Sequence, residues 1–228
     1  MKLFLIYLIT FFSLTIFITN NLKAFPIPKN NEVKFDIIRK GKDIGDQTIS
    51  FTKKNNQLNI EVETSIKVKL LFVVVYKFSH TSKEIWENDK FISFEGHTLF
   101  EDDREYFVKA NLNKNIYSAS GMDGELELNN GFIPSNYWNI DVMKQKEIFD
   151  TQKGIVRKLD VKEVGTEIIN LLGKDTQCRK FILNASKHPK DKGPFSETTL
   201  WYTENDELAQ FQAKSPKDDT LIIFIRSK

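Results

Sequence analysis

The sequence predicts a mainly β protein, a single antiparallel meander of about a dozen strands that forms a strongly curved sheet or barrel. Three observations support this fold class. Apolar residues alternate with polar ones along most of the chain after residue 31, turn-forming residues recur about every ten positions, and only one short stretch fits a helix. A sheet of that size curls or closes to protect its edge strands.

The N-terminus is predicted to be a signal peptide and not part of this fold. A short positive start precedes an apolar run over residues 3–18, and cleavage is expected after Ala24. An uncleaved anchor is the alternative, because the run is just short of the length that spans a bilayer. Residues 1–24 would therefore direct the protein to the periplasm or outside the cell, with residues 25–31 as a linker and residues 32–228 as one β-barrel-like domain.

Charge and cysteine content restrict the partners. Removal of Lys2 and Lys23 leaves 31 basic residues against 31 acidic ones. That balance argues against a binder of nucleic acid or of anionic membranes, so a membrane contact is expected only through an uncleaved signal segment. Cys178 is the only cysteine, so stability must come from a packed core rather than from disulfides.

No motif predicts a cofactor or a metal site. The three histidines and the one cysteine lack the spacings that are typical of metal ligands. The acidic pair Asp102-Asp103 could contribute to a calcium site, but a solvated turn explains it better.

The strands are expected to follow one another with short polar turns between them. The clearest lies near 58–68, where the alternation runs without a slip. Residues 70–75 are apolar throughout, so they are expected either to be covered on both sides or to bend. Residues 184–195, rich in lysine, proline and glycine, are expected to form a mobile loop. The other predicted strands lie near 33–37, 49–51, 76–86, 91–100, 106–112, 116–120, 125–128, 155–164, 167–172, 177–183, 198–202, 208–213 and 221–226.

Alternation along the strand near 76–86 places its large rings on one face. Tyr76, Phe78 and Trp86 share this face with His80 and Glu84. Large rings beside a few polar groups are typical of the inner wall of a small barrel, and also of small-molecule pockets. His80 and Glu84 lie about 13 Å apart along the strand, so each is expected to bond to neighbouring strands. A role in orienting a ligand is the alternative.

The stretch near residues 135–145 is the one predicted helical insertion, with Ser135 as its cap. Two interpretations of Tyr137, Trp138 and Asn139 are open. These residues form a hydrophobic plug whose polar groups are satisfied internally, or they form a lid, with Trp138 on a ligand and Asn139 fixing its orientation. The lid is considered because binding residues often lie on loops that a rigid scaffold holds.

Several blocks together resemble a known family. They are Tyr76-Lys77-Phe78-Ser79-His80, Glu84-Ile85-Trp86, Ser135-Asn136-Tyr137-Trp138-Asn139 and the late Trp201-Tyr202. The chain resembles an uncharacterised family of secreted proteobacterial β-rich proteins, a domain of unknown function, in which the Ser-x-Tyr-Trp-Asn block is the most specific feature. The late strands also look like periplasmic proteins that are related to curved-sheet lipoprotein carriers. The resemblance implies a β architecture in the cell envelope and implies no reaction.

Three functions are consistent with these features. The favoured one is a non-enzymatic binding or carrier module for an apolar or amphipathic, lipid-like ligand of the cell envelope. The first alternative is an envelope structural or assembly factor with a solid core and a protein partner. The second is a hydrolase that uses His80 with Ser135 and Asp102, although Ser135 lacks a Gly-x-Ser-x-Gly context. The candidate ligand-binding residues are Tyr76, Phe78, His80, Glu84, Trp86, Ser135, Tyr137, Trp138 and Asn139.

Overall fold

The computed structural model describes residues 25–70, 72–129, 131–191, 195–215 and 218–228. The predicted signal peptide, residues 1–24, lies outside the described residues. Within them the strands are β1 (Glu32–Arg39), β2 (Lys42–Lys54), β3 (Gln57–Leu70), β4 (Val73–Glu87), β5 (Lys90–Leu99), β6 (Glu105–Asn113), β7 (Ile116–Gly121), β8 (Gly124–Leu128), β9 (Glu147–Asp150), β10 (Ile155–Leu171), β11 (Lys174–Ala185), β12 (Thr198–Thr203), β13 (Leu208–Lys214) and β14 (Leu221–Arg226).

These strands form one antiparallel sheet in the order β8-β7-β6-β5-β4-β3-β2-β1-β14-β13-β12-β11-β10-β9. Each strand pairs with its neighbours in sequence, except that β1 also pairs with β14 and that β8 does not pair with β9. The predicted mainly β, antiparallel meander is confirmed, with 14 strands. The strand ladder does not close, and β8 and β9 are its edges.

The sheet has two arms, β1–β8 and β9–β14, and these arms nevertheless meet at one end. The amide of Met122, in the β7–β8 turn, donates to the carbonyl of Lys153, in the β9–β10 turn, at 2.7 Å. Gly121 and Gly154 lie so close together that a Cβ on Gly121 would be 2.4 Å from the Cα of Gly154. The absence of a side chain at both positions permits this approach, which gives the open sheet a barrel-like form.

Two expectations about the second arm are corrected. The sequence predicts two strands at 155–164 and 167–172, but the chain runs through both as the 17-residue β10. Gly165 lies where the sequence suggests that one strand ends and the next begins. In the structure it has φ of 110° and forms part of a β-bulge within β10. The sequence also fails to predict β9, because its 4 residues are too few to show a period.

The insertion after β8 contains a short 3₁₀ helix (Ile140–Lys144), as expected for this region. Its cap is Asn139, whose side chain accepts a hydrogen bond from the Asp141 amide at 3.0 Å. The prediction that Ser135 caps the helix is therefore wrong. The Ser135 hydroxyl instead accepts a hydrogen bond from the Thr151 amide at 3.1 Å, which ties the insertion to the β9–β10 turn.

Two further sequence expectations concern the hairpin end near residue 72 and the loop at 184–195. Of the two alternatives for residues 70–75, the bend is confirmed, because Phe72 is fully exposed and the chain turns there between β3 and β4. The described part of the loop at 184–195 is anchored by Asp191, which forms ion pairs with Arg157 and Lys153.

Candidate functional site

The inward face of β4 contributes a row of side chains to the interior. Every second residue from position 78 to position 86 is buried, and the residues between them are more exposed. This confirms the predicted alternation, since successive side chains of a strand point to opposite faces. Tyr76, nearer the end of the hairpin, is only partly buried. The row divides into one part around Glu84 and another around His80.

Glu84 is a buried carboxylate that accepts hydrogen bonds from three side chains. Trp86 Nε1 donates to Oε2 at 2.7 Å, Trp138 Nε1 donates to Oε1 at 3.3 Å, and the Asn136 side-chain amide also donates to Oε1. The exposed fraction of Glu84 is 1%. Burial raises the pKa of the Glu84 carboxyl, and the three hydrogen bonds oppose that rise because they favour the charged form.

Aromatic rings pack around this carboxylate. Trp86 and Trp138 meet edge to face, with centroids 5.7 Å apart, and Phe25 contacts both indoles at 5.0 and 5.3 Å. Phe25 belongs to the stretch predicted as a linker, yet it contributes to this cluster. The indole nitrogen of Trp138 is satisfied by Glu84, which agrees with the plug interpretation for that side chain.

His80 lies on the same face of β4 but has a different set of polar contacts. Its Nδ1 is 2.8 Å from the Thr98 hydroxyl on β5, whereas its Nε2 has no hydrogen-bond partner among the described residues. Its exposed fraction is 4%. Desolvation lowers the pKa of His80 to about 4, and this effect outweighs the attraction of the Asp150 carboxylate. The imidazole is therefore neutral near pH 7, with one donor and one acceptor nitrogen.

A cavity of about 140 Å³ lies beside His80. Its walls come from both arms of the sheet and from the insertion after β8. The apolar part of the wall includes Ile49, Val62, Phe78, Leu208, Phe211 and Phe224. The polar part includes Gln47, Thr64, Ser135, Asn136, Asp150, Thr151 and Gln152. The cavity wall is thus amphipathic, with apolar and polar side chains in similar numbers.

A buried charge cluster holds Asp150 at this wall. Arg157 Nε donates to the Asp150 carboxylate at 2.8 Å, and the two terminal nitrogens of Arg157 donate to Asp191 at 2.7 and 3.1 Å. Against the desolvation that burial imposes, hydrogen bonds from Arg157 and Lys153 hold the pKa of Asp191 well below its ordinary value. The cluster joins β10, the β9–β10 turn and the loop after β11, and so fixes one side of the cavity.

The predicted ligand-binding residues divide between the cavity wall and its surroundings. The residues that line the cavity are Phe78, His80, Ser135, Tyr137 and Trp138. The residues outside its wall are Tyr76, Glu84, Trp86 and Asn139. Glu84 and Trp86 bond to each other, Asn139 caps the 3₁₀ helix, and Tyr76 packs in a separate apolar cluster nearer the hairpin.

Sequence analysis misses several polar residues of the site. Gln47 and Thr64, which are hydrogen-bonded to each other at 2.9 Å, occupy ordinary inward positions of β2 and β3. Thr98 holds His80 from β5 in the same way. Alternation identifies such positions as inward but does not distinguish a core residue from a residue that lines a cavity. A polar residue at an inward position is the signal that could have found them.

The hydrolase arrangement is not assembled in this structure. Asp102 pairs with Arg104 on the exposed β5–β6 turn, at 2.7 Å. The group next to His80 Nδ1 is the Thr98 hydroxyl and not a carboxylate. A serine–histidine–carboxylate triad needs the carboxylate on one ring nitrogen and the nucleophile on the other, and His80, Ser135 and Asp102 do not form that arrangement.

The described part of the chain offers neither a cluster of metal ligands nor a membrane-spanning helix. No three or more histidine, cysteine, aspartate or glutamate side chains in that part of the chain are grouped so that they could hold a metal ion. No helix there combines the length and the hydropathy needed to cross a membrane.

Comparison with known proteins confirms the resemblance at the level of a domain of unknown function. Residues 35–225 match the family described as Domain of unknown function (DUF6134). No curated protein matches the sequence. Among solved structures, the chain is similar to a beta-barrel-like protein of domain of unknown function DUF1849 from Brucella abortus, with a TM-score of 0.60 and 13% identity, over 86% of this chain and 95% of that one. That likeness shows the fold alone, and the relation to lipoprotein carriers stays a prediction.

Proposed function

The chain belongs to the DUF6134 family of domains of unknown function, and we propose that it binds one small amphipathic molecule whose polar group meets His80. The observation that carries the proposal is the unpartnered Nε2 of a buried, neutral histidine at the wall of a cavity that has both apolar and polar sides. Buried polar atoms are normally hydrogen-bonded, so a ligand group at this position would complete the site.

The size of the cavity limits the ligand. Its volume of about 140 Å³ is close to the roughly 150 Å³ of an apolar cavity that holds a benzene ring. It is well below the range of roughly 300–1,000 Å³ that is typical for drug-sized ligands. A ligand of roughly six to eight non-hydrogen atoms, with one polar group, therefore fits best.

The chemistry of the polar end follows from the imidazole. When the Thr98 hydroxyl donates to Nδ1, the ring proton lies on Nε2 and His80 donates to the ligand. In the other tautomer Nδ1 donates to Thr98, and Nε2 accepts from the ligand. A hydroxyl group satisfies either tautomer, whereas a bound cation is matched only by the second.

A lipid-like ligand is supported only in part. The short end of an acyl chain matches the volume and the apolar wall, but a complete long chain would require the two arms of the sheet to separate. The predicted signal peptide would bring such binding to the periplasm or the cell exterior.

The alternative function, an assembly factor with a solid interior, is supported by the Glu84 part alone. There the aromatic rings pack together, and Trp86, Trp138 and Asn136 each donate a hydrogen bond to the Glu84 carboxylate. The cavity beside His80 favours binding over this alternative.

Phenol is a suitable probe, because its ring matches the cavity and its hydroxyl both donates and accepts. We expect saturable binding of phenol and of hexanol in an NMR titration, and much weaker binding of dodecanoate. His80→Phe should abolish binding, because the new ring occupies part of the cavity and provides no polar partner. His97→Phe is the matched control, since His97 is half exposed and stacks on Phe107. Absence of saturable binding, or equal binding by His80→Phe, would contradict the proposal.

A further inference from the structure

The hairpin formed by β3 and β4 extends beyond the rest of the sheet. Pairing of β3 with β2 ends at Ile66, opposite Gly45, and pairing of β4 with β5 ends at Ser79, opposite Leu99. Residues 67–70 and 73–77 therefore pair only with each other, as a two-stranded ribbon. An isolated ribbon of this kind is at best marginally stable in water.

The end of this ribbon is apolar and exposed on all sides. Phe72 is 100% exposed, and Val73, Val74 and Val75 are 64%, 49% and 52% exposed. Because successive strand residues point to opposite faces, these side chains cover both faces of the ribbon as well as its end. A contiguous exposed apolar patch of this kind marks an interaction site.

Lysines surround the base of this apolar tip. Lys67 and Lys77 stand directly opposite each other in the register, and Lys69 follows on the same face, all of them exposed. Like charges directly opposite on a sheet are unfavourable. Within the described chain none of the three has an ion-pair partner, in contrast to Lys83 farther along the same face, which pairs with Glu61 at 3.6 Å. The three lysines therefore have no anionic partner within the described part of the chain.

We propose that this tip docks the protein onto an anionic lipid surface. Lipid covers an apolar element from every side, as this tip requires, whereas a protein groove covers one face. Lys67 lies roughly 10 Å along β3 from Leu70, which belongs to the last pair of the ribbon, and this matches the depth of about 5–10 Å at which amphipathic segments lie in a bilayer interface. The lysines would then meet the anionic headgroups.

The insertion is shallow for a physical reason. The two outer edges of the ribbon carry unpaired backbone groups, and such groups are not tolerated in the hydrocarbon region without partners. The overall neutrality of the chain does not oppose docking, because surface charges interact over about a Debye length and the three lysines act locally.

The test places an indole at the tip and measures its fluorescence in the full chain. The reporter is Phe72→Trp, and the matched control is Ile168→Trp on the hairpin of β10 and β11, where Ile168 is 68% exposed. The probes are vesicles of phosphatidylglycerol mixed with phosphatidylcholine, with pure phosphatidylcholine as the uncharged comparison. Trp86, Trp138 and Trp201 also fluoresce but are buried, so the signal is the difference from the unsubstituted chain. Any membrane contact made by residues 1–24 is common to both chains and does not mimic that difference.

With the anionic vesicles, we expect a blue shift and quenching by brominated lipid for the Phe72→Trp indole, and neither effect for the Ile168→Trp indole. Val74→Asp in the reporter background should abolish the shift. Each of Lys67→Gln and Lys77→Gln should weaken binding about fivefold, and added salt should do the same. The proposal is overturned if the Phe72→Trp indole stays in water with both vesicle types, or if both reporters shift equally.

Discussion

The two polar groups on the inward face of β4, Glu84 and His80, are buried to a similar extent but in different surroundings. Glu84 has three donors and lies among packed rings, while His80 has one polar neighbour and faces a cavity. The two residues lie four positions apart on one strand and follow the same alternation of buried and exposed side chains. The comparison shows that burial of a polar group does not by itself indicate function, and that His80 is a candidate because an unpartnered nitrogen and a cavity occur together there.

Removal of the acceptor in the packed part should have the largest effect. Glu84→Ala leaves the donors of Trp86, Trp138 and Asn136 without a partner. At about 1–3 kcal/mol for each unsatisfied buried group, the free energy of unfolding should fall by at least about 3 kcal/mol. Chemical denaturation measures this loss. Glu87→Ala, at the exposed end of the same strand, is the control, and an equally mild effect of both changes would contradict the structural role of Glu84.

The pH dependence of the free energy of unfolding should distinguish His80 from Glu84 and should be the second-largest effect. The pKa of His80 is about 4 in the folded protein and about 6.5 when exposed, so the folded state binds fewer protons between these values. Its contribution to stability is present above pH 6.5 and is lost as the pH falls towards 4, by up to about 3 kcal/mol. Glu84 acts in the opposite direction, because burial raises its pKa.

The measurement for this prediction is the free energy of unfolding of the wild-type protein and of His80→Phe over that pH range. The difference in free energy of unfolding between the two proteins should change steeply between pH 6.5 and 4. In that range only the wild type has an imidazole that is protonated in the unfolded state and neutral in the folded state. A difference that is independent of pH would show that His80 is not held neutral by burial.

Ser82, between the two groups, should give the smallest effect. Its hydroxyl has no hydrogen-bond partner among the described residues. Ser82→Ala should therefore raise the free energy of unfolding by about 1 kcal/mol, since it removes a buried polar atom without loss of a bond. Thermal denaturation measures the gain, with Ser79→Ala on the outward face as the control. Destabilisation would mean that the Ser82 hydroxyl is satisfied in the folded protein.

The fold and one wall of the site could be predicted from sequence, because both depend on short-range periodicity. The period of two places Phe78, His80 and Glu84 on one face, and it also defines most strands. Gly165 does not end a strand, because a bulge can absorb it, and this requires knowledge of the pairing partner.

The difference between the two parts of the face could not be predicted in this way. Asn136 and Trp138 approach Glu84 across a separation of about fifty residues, and nothing local indicates that they satisfy it. The cavity beside His80 arises where β2, β3 and β4 fail to fill the space against β13 and β14. Its volume is a property of packing and not of sequence pattern.

The central claim, that His80 Nε2 is available to a ligand, is tested most directly by nitrogen NMR of histidine-labelled protein during a titration with phenol at pH 7. We expect a neutral imidazole for His80, a shift of its Nε2 resonance that saturates with phenol, and unchanged signals from His97 and His188. A His80 resonance that does not move at saturating phenol, or that is already typical of a charged imidazole, would contradict the account.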